Sequence, residues 1–200
     1  AVYRRILKKK GNAELIYIAD DFDNLRKVYH FLPKTYEKHI GKPLSDIPCP
    51  CNKHKSYSEH YLTIFLDSLK ELGVNPTIYK ASEMYKTGMY KESIQIALEN
   101  KEIIREIIEK ISKRKLPKKW VPFNIKCENC SKITSAEPVL YNYPYLEYIC
   151  SCGYEGKADI TKGGIGKLPW RIDWPARWKI LKVTFEPFGK DHGTVGGTHD

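Results

Sequence analysis

Apolar and polar positions follow two different rhythms along this chain, and the change between them divides it. Val2, Tyr3, Ile6 and Leu7 recur at helical spacing before Lys8 to Lys10 and the stop signal Gly11, which predicts a helix over 1–10. Leu15 to Ala19 is a nearly continuous apolar run, the pattern of a strand covered on both faces, and it ends in Asp20, Asp21, Phe22 and Asp23. A loop-rich stretch over about 33–55 carries Pro33, Pro43, Pro48 and Pro50. Ser56 followed three residues later by Glu59 spells a capping box. It predicts a helix through Tyr61, Ile64, Phe65 and Leu69 that Gly73 stops. Thr77 to Ala81 reads as a second parallel strand. A long helix is expected from near Lys91, with Ile104, Ile107, Ile108 and Ile111 as its buried stripe.

Past a basic, Pro-containing linker at 113–119 the rhythm changes. From about residue 122 to 160, short alternating, Tyr-rich segments such as Pro138 to Tyr141 and Tyr145 to Ile149 surround four cysteines, which predicts a small β-rich insert. After Gly163 and Gly164 the first rhythm resumes, with Val183 to Phe185 as an expected strand and Gly189-Lys190-Asp191-His192 directly after it. Helix, turn, buried strand and polar loop in succession are the signature of a parallel α/β sheet.

Composition narrows the class. Apolar residues make up 42% and charged residues 29%, an ordinary globular balance. No apolar run approaches the roughly 18 residues needed to span a bilayer, so no membrane partner is expected. The chain opens without an initiator Met or a signal-peptide pattern, and both termini read as cut edges. A net charge of +10, from 34 basic against 24 acidic residues, favours a polyanionic partner. A solvated basic surface gives the same number, so charge counts only beside other signals. The six cysteines fall in three close pairs. Without a secretion signal such pairs point to metal thiolates rather than disulfides, and to a cytoplasmic location.

Cys127 and Cys130, then Cys150 and Cys152 after 19 intervening residues, supply two short-range pairs of the kind that hold tetrahedral Zn2+. Free thiols or a disulfide pair are the bland alternative. With four thiolates filling the coordination sphere, the metal's role would be structural, and an insert this small needs it to fold. Cys49-Pro50-Cys51 with His54 and His60 nearby has irregular spacing, which favours loop packing over a second metal. Asp20, Asp21, Asp23 and Arg26 follow one expected strand; Gly189, Asp191 and His192 follow another. Parallel sheets bind nucleotides at such strand ends, although Gly-Lys-Asp-His also suits a plain capped turn. In Trp170-Arg171-Ile172-Asp173-Trp174-Pro175-Ala176-Arg177-Trp178, Trp174 and Trp178 are expected in the core. Trp170 is the candidate ligand contact, since an indole face attracts an ammonium.

Together, Tyr17 to Val28, Ser56 to His60, Arg171 to Trp178 and Phe185 to His192 resemble class I lysyl-tRNA synthetases, in the family's order and across nearly the whole chain. The Asp-Trp-Pro-x-Arg-Trp segment is the most specific match. The resemblance implies a Rossmann-type parallel sheet with helices, interrupted by a small zinc-ribbon-like β insert that approaches the tRNA acceptor stem. Residues 1–120 would be part of the catalytic core with a helical insertion, 121–160 the zinc insert, and 161–200 the return to the core. It implies an aminoacyl-tRNA synthetase that activates lysine with ATP, accompanied by Mg2+, and transfers it to tRNA(Lys). Gly189 and Asp191 match the ATP-ribose turn; Trp170 and His192 match positions lining the lysine pocket. Asp20, Asp21, Asp23 and Asp173 are candidate active-site carboxylates. The family's His-containing nucleotide loop and Lys-containing loop match nothing here. No catalytic residue is therefore assignable, and an isolated fragment is expected to be inactive. The competing expectations are a non-catalytic zinc-ribbon nucleic-acid-binding protein or a degenerate synthetase paralogue.

Overall fold

The first rhythm folds as a pair of parallel strands. The computed structural model describes residues 8, 9 and 11–194, which divide into two units, 1–84 and 85–200. In the first unit, β1 (Ile16–Ala19) pairs in parallel with β2 (Thr77–Lys80), in register from Ile16 opposite Thr77 to Ala19 opposite Lys80. Parallel neighbours need a crossover, and α1 (Tyr57–Glu71) lies in it. Half of the capping box forms, with the Glu59 N–H donating to Ser56 Oγ at 3.1 Å, while Glu59 Oε2 accepts from the N–H of Lys55, one residue before the N-cap, at 3.1 Å. Gly73, at φ +65°, closes the far end.

The Pro-rich stretch is not a loose loop. Its 3-10 turns, Lys34–His39 and Leu44–Asp46, bring Leu25, Leu32, Tyr36 and Ile47 against Tyr57 in a buried cluster. At roughly 1.5–3 kcal/mol for each large apolar side chain removed from water, this cluster anchors the stretch. The inward face of α1 is therefore set by Tyr57 and Leu62, while Ile64 is 53% and Phe65 39% exposed.

In the second unit the expected long helix is two: α3 (Lys91–Glu99) and α4 (Lys101–Ser112), following the short α2 (Ala81–Lys86). They break at Asn100 (φ −106°, ψ 23°), whose backbone N–H and side-chain amide both donate to the Ile96 carbonyl, at 3.0 and 2.9 Å, and so cap the end of α3. Ile104, Ile108 and Ile111 are half-buried, but Ile107 is exposed, so the stripe is narrower than its spacing suggests.

The insert is an antiparallel meander of β4 (Ala136–Asn142), β5 (Tyr145–Cys150) and β6 (Glu155–Asp159). Gly156 sits opposite Tyr148, where a Cβ would lie 2.4 Å from the phenol ring. A two-residue ladder, β3 (Asn124–Ile125) with β7 (Gly166–Lys167), leads to α5 (Trp170–Leu181). The strand expected at Val183 to Phe185 does not form among the described residues, where the segment runs irregularly to a 3-10 turn at Lys190–Gly193. Most of the helix expected over 1–10 lies outside the described residues. No helix of the described residues is long and apolar enough to cross a membrane.

Candidate functional site

Cys127 and Cys130 sit on a turn after β3, closed by the Ser131 N–H donating to the Cys127 carbonyl at 2.8 Å. Cys150 ends β5, and the turn carrying Cys152 needs Gly153 at φ +86°. These turns bring all four sulfurs within 4.8 Å of one another. Cys127 and Cys152 are 3.8 Å apart, and Cys130 and Cys150 3.7 Å. A tetrahedron with Zn–S bonds of ~2.3 Å has edges of about 3.8 Å, so the spacing is that of a four-thiolate zinc site. Burial pushes the Cys127 thiol up to about 12. Burial also opposes ionisation of Cys130 and Cys150, but backbone and Ser135 hydrogen bonds outweigh it and draw both down. Clustered thiolates repel one another, and a divalent cation is what would hold four of them here.

A second quartet assembles where loop packing was expected. Cys49, Cys51, His54 and His60 place their ligand atoms within 4.8 Å of one another. Cys49 Sγ lies 3.3 Å from Cys51 Sγ and 3.4 Å from His54 Nδ1; His60 Nδ1 lies 3.2 Å from Cys51 Sγ and 3.3 Å from His54 Nδ1. Tetrahedral zinc needs N···N edges of about 3.3 Å and S···N edges of about 3.5 Å, which the His54–His60 and Cys–His separations match, while the 3.3 Å between the two sulfurs is shorter than the S···S edge of about 3.8 Å. Burial disfavours the Cys49 thiolate, yet hydrogen bonds with Cys51 and His54 bring that thiol down to about 5. His60 comes from the first turn of α1, which its N-cap Ser56 fixes; the other three ligands come from the loop before it. The sequence signal was Cys-x-Cys-x2-His-x5-His, legible only once the helix start is placed between the histidines.

At the carboxyl end of β1 a cavity of about 320 Å³ is lined by Tyr17, Asp20, Asp21, Tyr57, Tyr61 and Phe65, among others. Asp21 is 5% exposed and fully engaged: Oδ1 accepts from the Ser82 N–H at 2.7 Å and Oδ2 from the Ser82 hydroxyl at 2.5 Å. Burial nonetheless raises its pKa above the ordinary carboxylate value, the Ser82 hydrogen bonds opposing it. Asp20 is half-buried, and its charge, after burial, raises the Tyr17 pKa. Asp23 is half-buried on the following turn, where its carbonyl accepts from the Leu44 N–H at 2.8 Å. The aromatic wall was missed in the sequence: Tyr57, Tyr61 and Phe65 recur four apart on one side of α1.

In the second unit Trp170 opens α5, half-buried, with the Arg177 guanidinium 5.2 Å from its ring centroid and the Trp174 ring at 4.4 Å, edge-on. Asp173 is 0% exposed. Its Oδ2 accepts from Arg177 at 2.8 Å and lies 3.4 Å from Lys167 Nζ, while Arg177 Nε also donates to the Tyr90 hydroxyl at 3.2 Å. Trp174 is half-buried, but Trp178 is 37% exposed rather than core; both indole N–H groups reach the Glu186 carboxylate. Gly189 precedes the 3-10 turn that carries Asp191 and His192, and the His192 N–H donates to the Gly189 carbonyl at 3.0 Å. The carboxylates at 20, 21 and 23 thus belong to one unit, and Trp170, Asp173, Gly189, Asp191 and His192 to the other.

Comparison with known proteins follows the same span. The family described as "tRNA synthetases class I (K)" matches residues 1–200. Proteins named lysine–tRNA ligase are 49% identical in Methanosarcina barkeri, 50% in Methanococcus maripaludis and 45% in Archaeoglobus fulgidus, each aligned with 100% of this chain. The chain spans 37%, 38% and 40% of the length of those three relatives.

Proposed function

Because this chain belongs to the family of class I tRNA synthetases (K), we propose that it is part of a lysine–tRNA ligase. The observation that carries the proposal is identity of 45–50% along all of the chain to ligases of that name. In the reaction, a lysine carboxylate oxygen attacks the α-phosphorus of ATP and pyrophosphate leaves. A terminal ribose hydroxyl of tRNA(Lys) then attacks the lysyl carbonyl, and AMP leaves. No covalent bond to the protein forms, so the protein's part is positioning and charge stabilisation. Mg2+ would accompany ATP and offset its phosphate charge.

Within this scheme the β1–β2 pair is part of a Rossmann-type parallel sheet, 1–120 and 161–200 form the catalytic core, and 121–160 is the insert. Gly189 and Asp191 hold the ATP ribose; Trp170 and His192 line the lysine pocket. Among the four candidate carboxylates, Asp20 is the one we assign to substrate. Asp20 and Asp21 both line the aromatic cavity beside β1, and Asp20 is the more accessible of the two, whereas Asp173 is fully buried. Both Cys/His quartets hold structural Zn2+, since four protein ligands leave no coordination position for substrate. None of the six cysteines is paired in a disulfide, and a reducing cytoplasm is the compartment that suits such metal thiolates.

The test is lysine-dependent exchange of labelled pyrophosphate into ATP by the full-length protein, in the presence of tRNA(Lys). Exchange should depend on lysine, and Trp170→Ala should raise the lysine KM about tenfold or more, the loss expected for ~1.4 kcal/mol of binding. Equal exchange with arginine or glutamate would defeat the assignment.

A further inference from the structure

Resting on the reading that the partner is a tRNA, we propose that residues 113–119 form a pre-shaped basic strap for an RNA sugar-phosphate backbone. The segment Lys113-Arg114-Lys115-Leu116-Pro117-Lys118-Lys119 holds five cations and no carboxylate in seven residues. Left to itself such a run would repel itself and stay extended and disordered. Here it is tied down through its backbone. The Arg105 guanidinium, on α4, donates to the carbonyls of Leu116 at 3.3 Å, Pro117 at 2.7 Å, Lys118 at 2.9 Å and Trp120 at 3.2 Å. Glu109, one turn on, accepts from the Leu116 N–H at 2.8 Å and from Lys115 Nζ at 2.9 Å.

This clamp occupies polar groups of the strap's main chain and leaves the side chains of Lys113, Arg114, Lys118 and Lys119 exposed. Lys118 and Lys119 join Lys101 in lining a cleft of about 200 Å³ beside β4. The acid in that cleft, Glu102, is paired with Arg105 at 3.5 Å. Fixing the backbone of a cationic segment before it meets its partner removes part of the ordering cost of binding, and its charges release counterions from a phosphate chain. Such contacts position a nucleic acid without reading its sequence. The strap is therefore a docking element for the backbone of the RNA, not a determinant of which tRNA is chosen.

The experiment compares tRNA binding by the full-length protein and two double variants over a range of salt. For Lys118→Ala with Lys119→Ala, Kd at ~0.1 M salt should rise about tenfold or more, and the slope of log K against log salt should fall by about 2. Lys34→Ala with Lys38→Ala, an equally exposed pair outside the strap, serves as the control. An unchanged slope for the strap pair, or an equal loss in the control pair, would overturn the proposal. Failure of the wild-type protein to ligate lysine to tRNA would instead remove the proposed activity, while the salt slopes would still score the strap. With the strap intact, tRNA from other acceptors should bind with a similar salt slope.

Discussion

The two Cys/His quartets reach similar geometry from opposite kinds of scaffold. Cys127, Cys130, Cys150 and Cys152 come in two matched turns on a three-stranded meander that buries Leu146, Tyr148, Ala158 and Ile160. Cys49, Cys51, His54 and His60 join a loop to a helix N-terminus, beside an apolar cluster already built from Leu25, Leu32, Tyr36, Ile47 and Tyr57. The first centre pins two turns at the edge of a sheet, whereas the second pins a loop to the start of a helix.

That contrast is open to direct measurement. Metal analysis of protein purified without chelator should give two zinc ions per chain. Cys150→Ser should remove one and produce the largest loss of stability, several kcal/mol, because it unties both cysteine turns and puts a polar group at a buried position on β5. His60→Ala should also remove one ion but cost less, about 1–3 kcal/mol in urea melts, because the neighbouring cluster survives. Equal losses from the two variants would break the comparison. Ser56→Ala should cost about 1 kcal/mol by uncapping α1 and should weaken metal binding only at the centre that His60 completes.

The smallest effect concerns pH. Burial raises the Asp21 pKa in the folded chain, so the native state holds that proton more tightly than the unfolded one. Stability from this group is therefore greatest at or below the unfolded carboxylate value and falls as pH rises through the raised folded value. The difference in urea midpoint between wild type and Asp21→Asn, followed from pH 7 downward, should trend in favour of the wild type as Asp21 protonates. A difference independent of pH would remove burial as the dominant influence.

Much of the local structure was legible because its signals are short-range. The apolar run at Leu15 to Ala19, the Ser56–Glu59 box and the paired cysteines of the insert each carry their cause within a few residues. The misses had remote or ambiguous causes. Asn100 is no stronger a helix breaker than many residues that sit inside helices, so its identity alone did not mark the break between α3 and α4. Val183 to Phe185 has strand composition, but a strand exists only with a partner, which composition does not encode. His60 was named beside Cys49, Cys51 and His54, but their irregular spacing favoured loop packing, because the spacing becomes regular only when the helix start at Ser56 is set between the two histidines. Trp178 looked like core, yet its indole is turned to Glu186.

The guanidinium over Trp170 bears on how charge is sensed there. Arg177 already draws on the π-electrons of that indole, and it is buried with Lys167 beside the Asp173 carboxylate. A second cation on the far side would meet a depleted quadrupole and a like charge behind it. Trp170 is thus better suited to gripping a methylene chain than its ammonium tip. Recognition of the tip would then fall to an anion elsewhere, and an uncharged substrate of equal length would lose little at this ring.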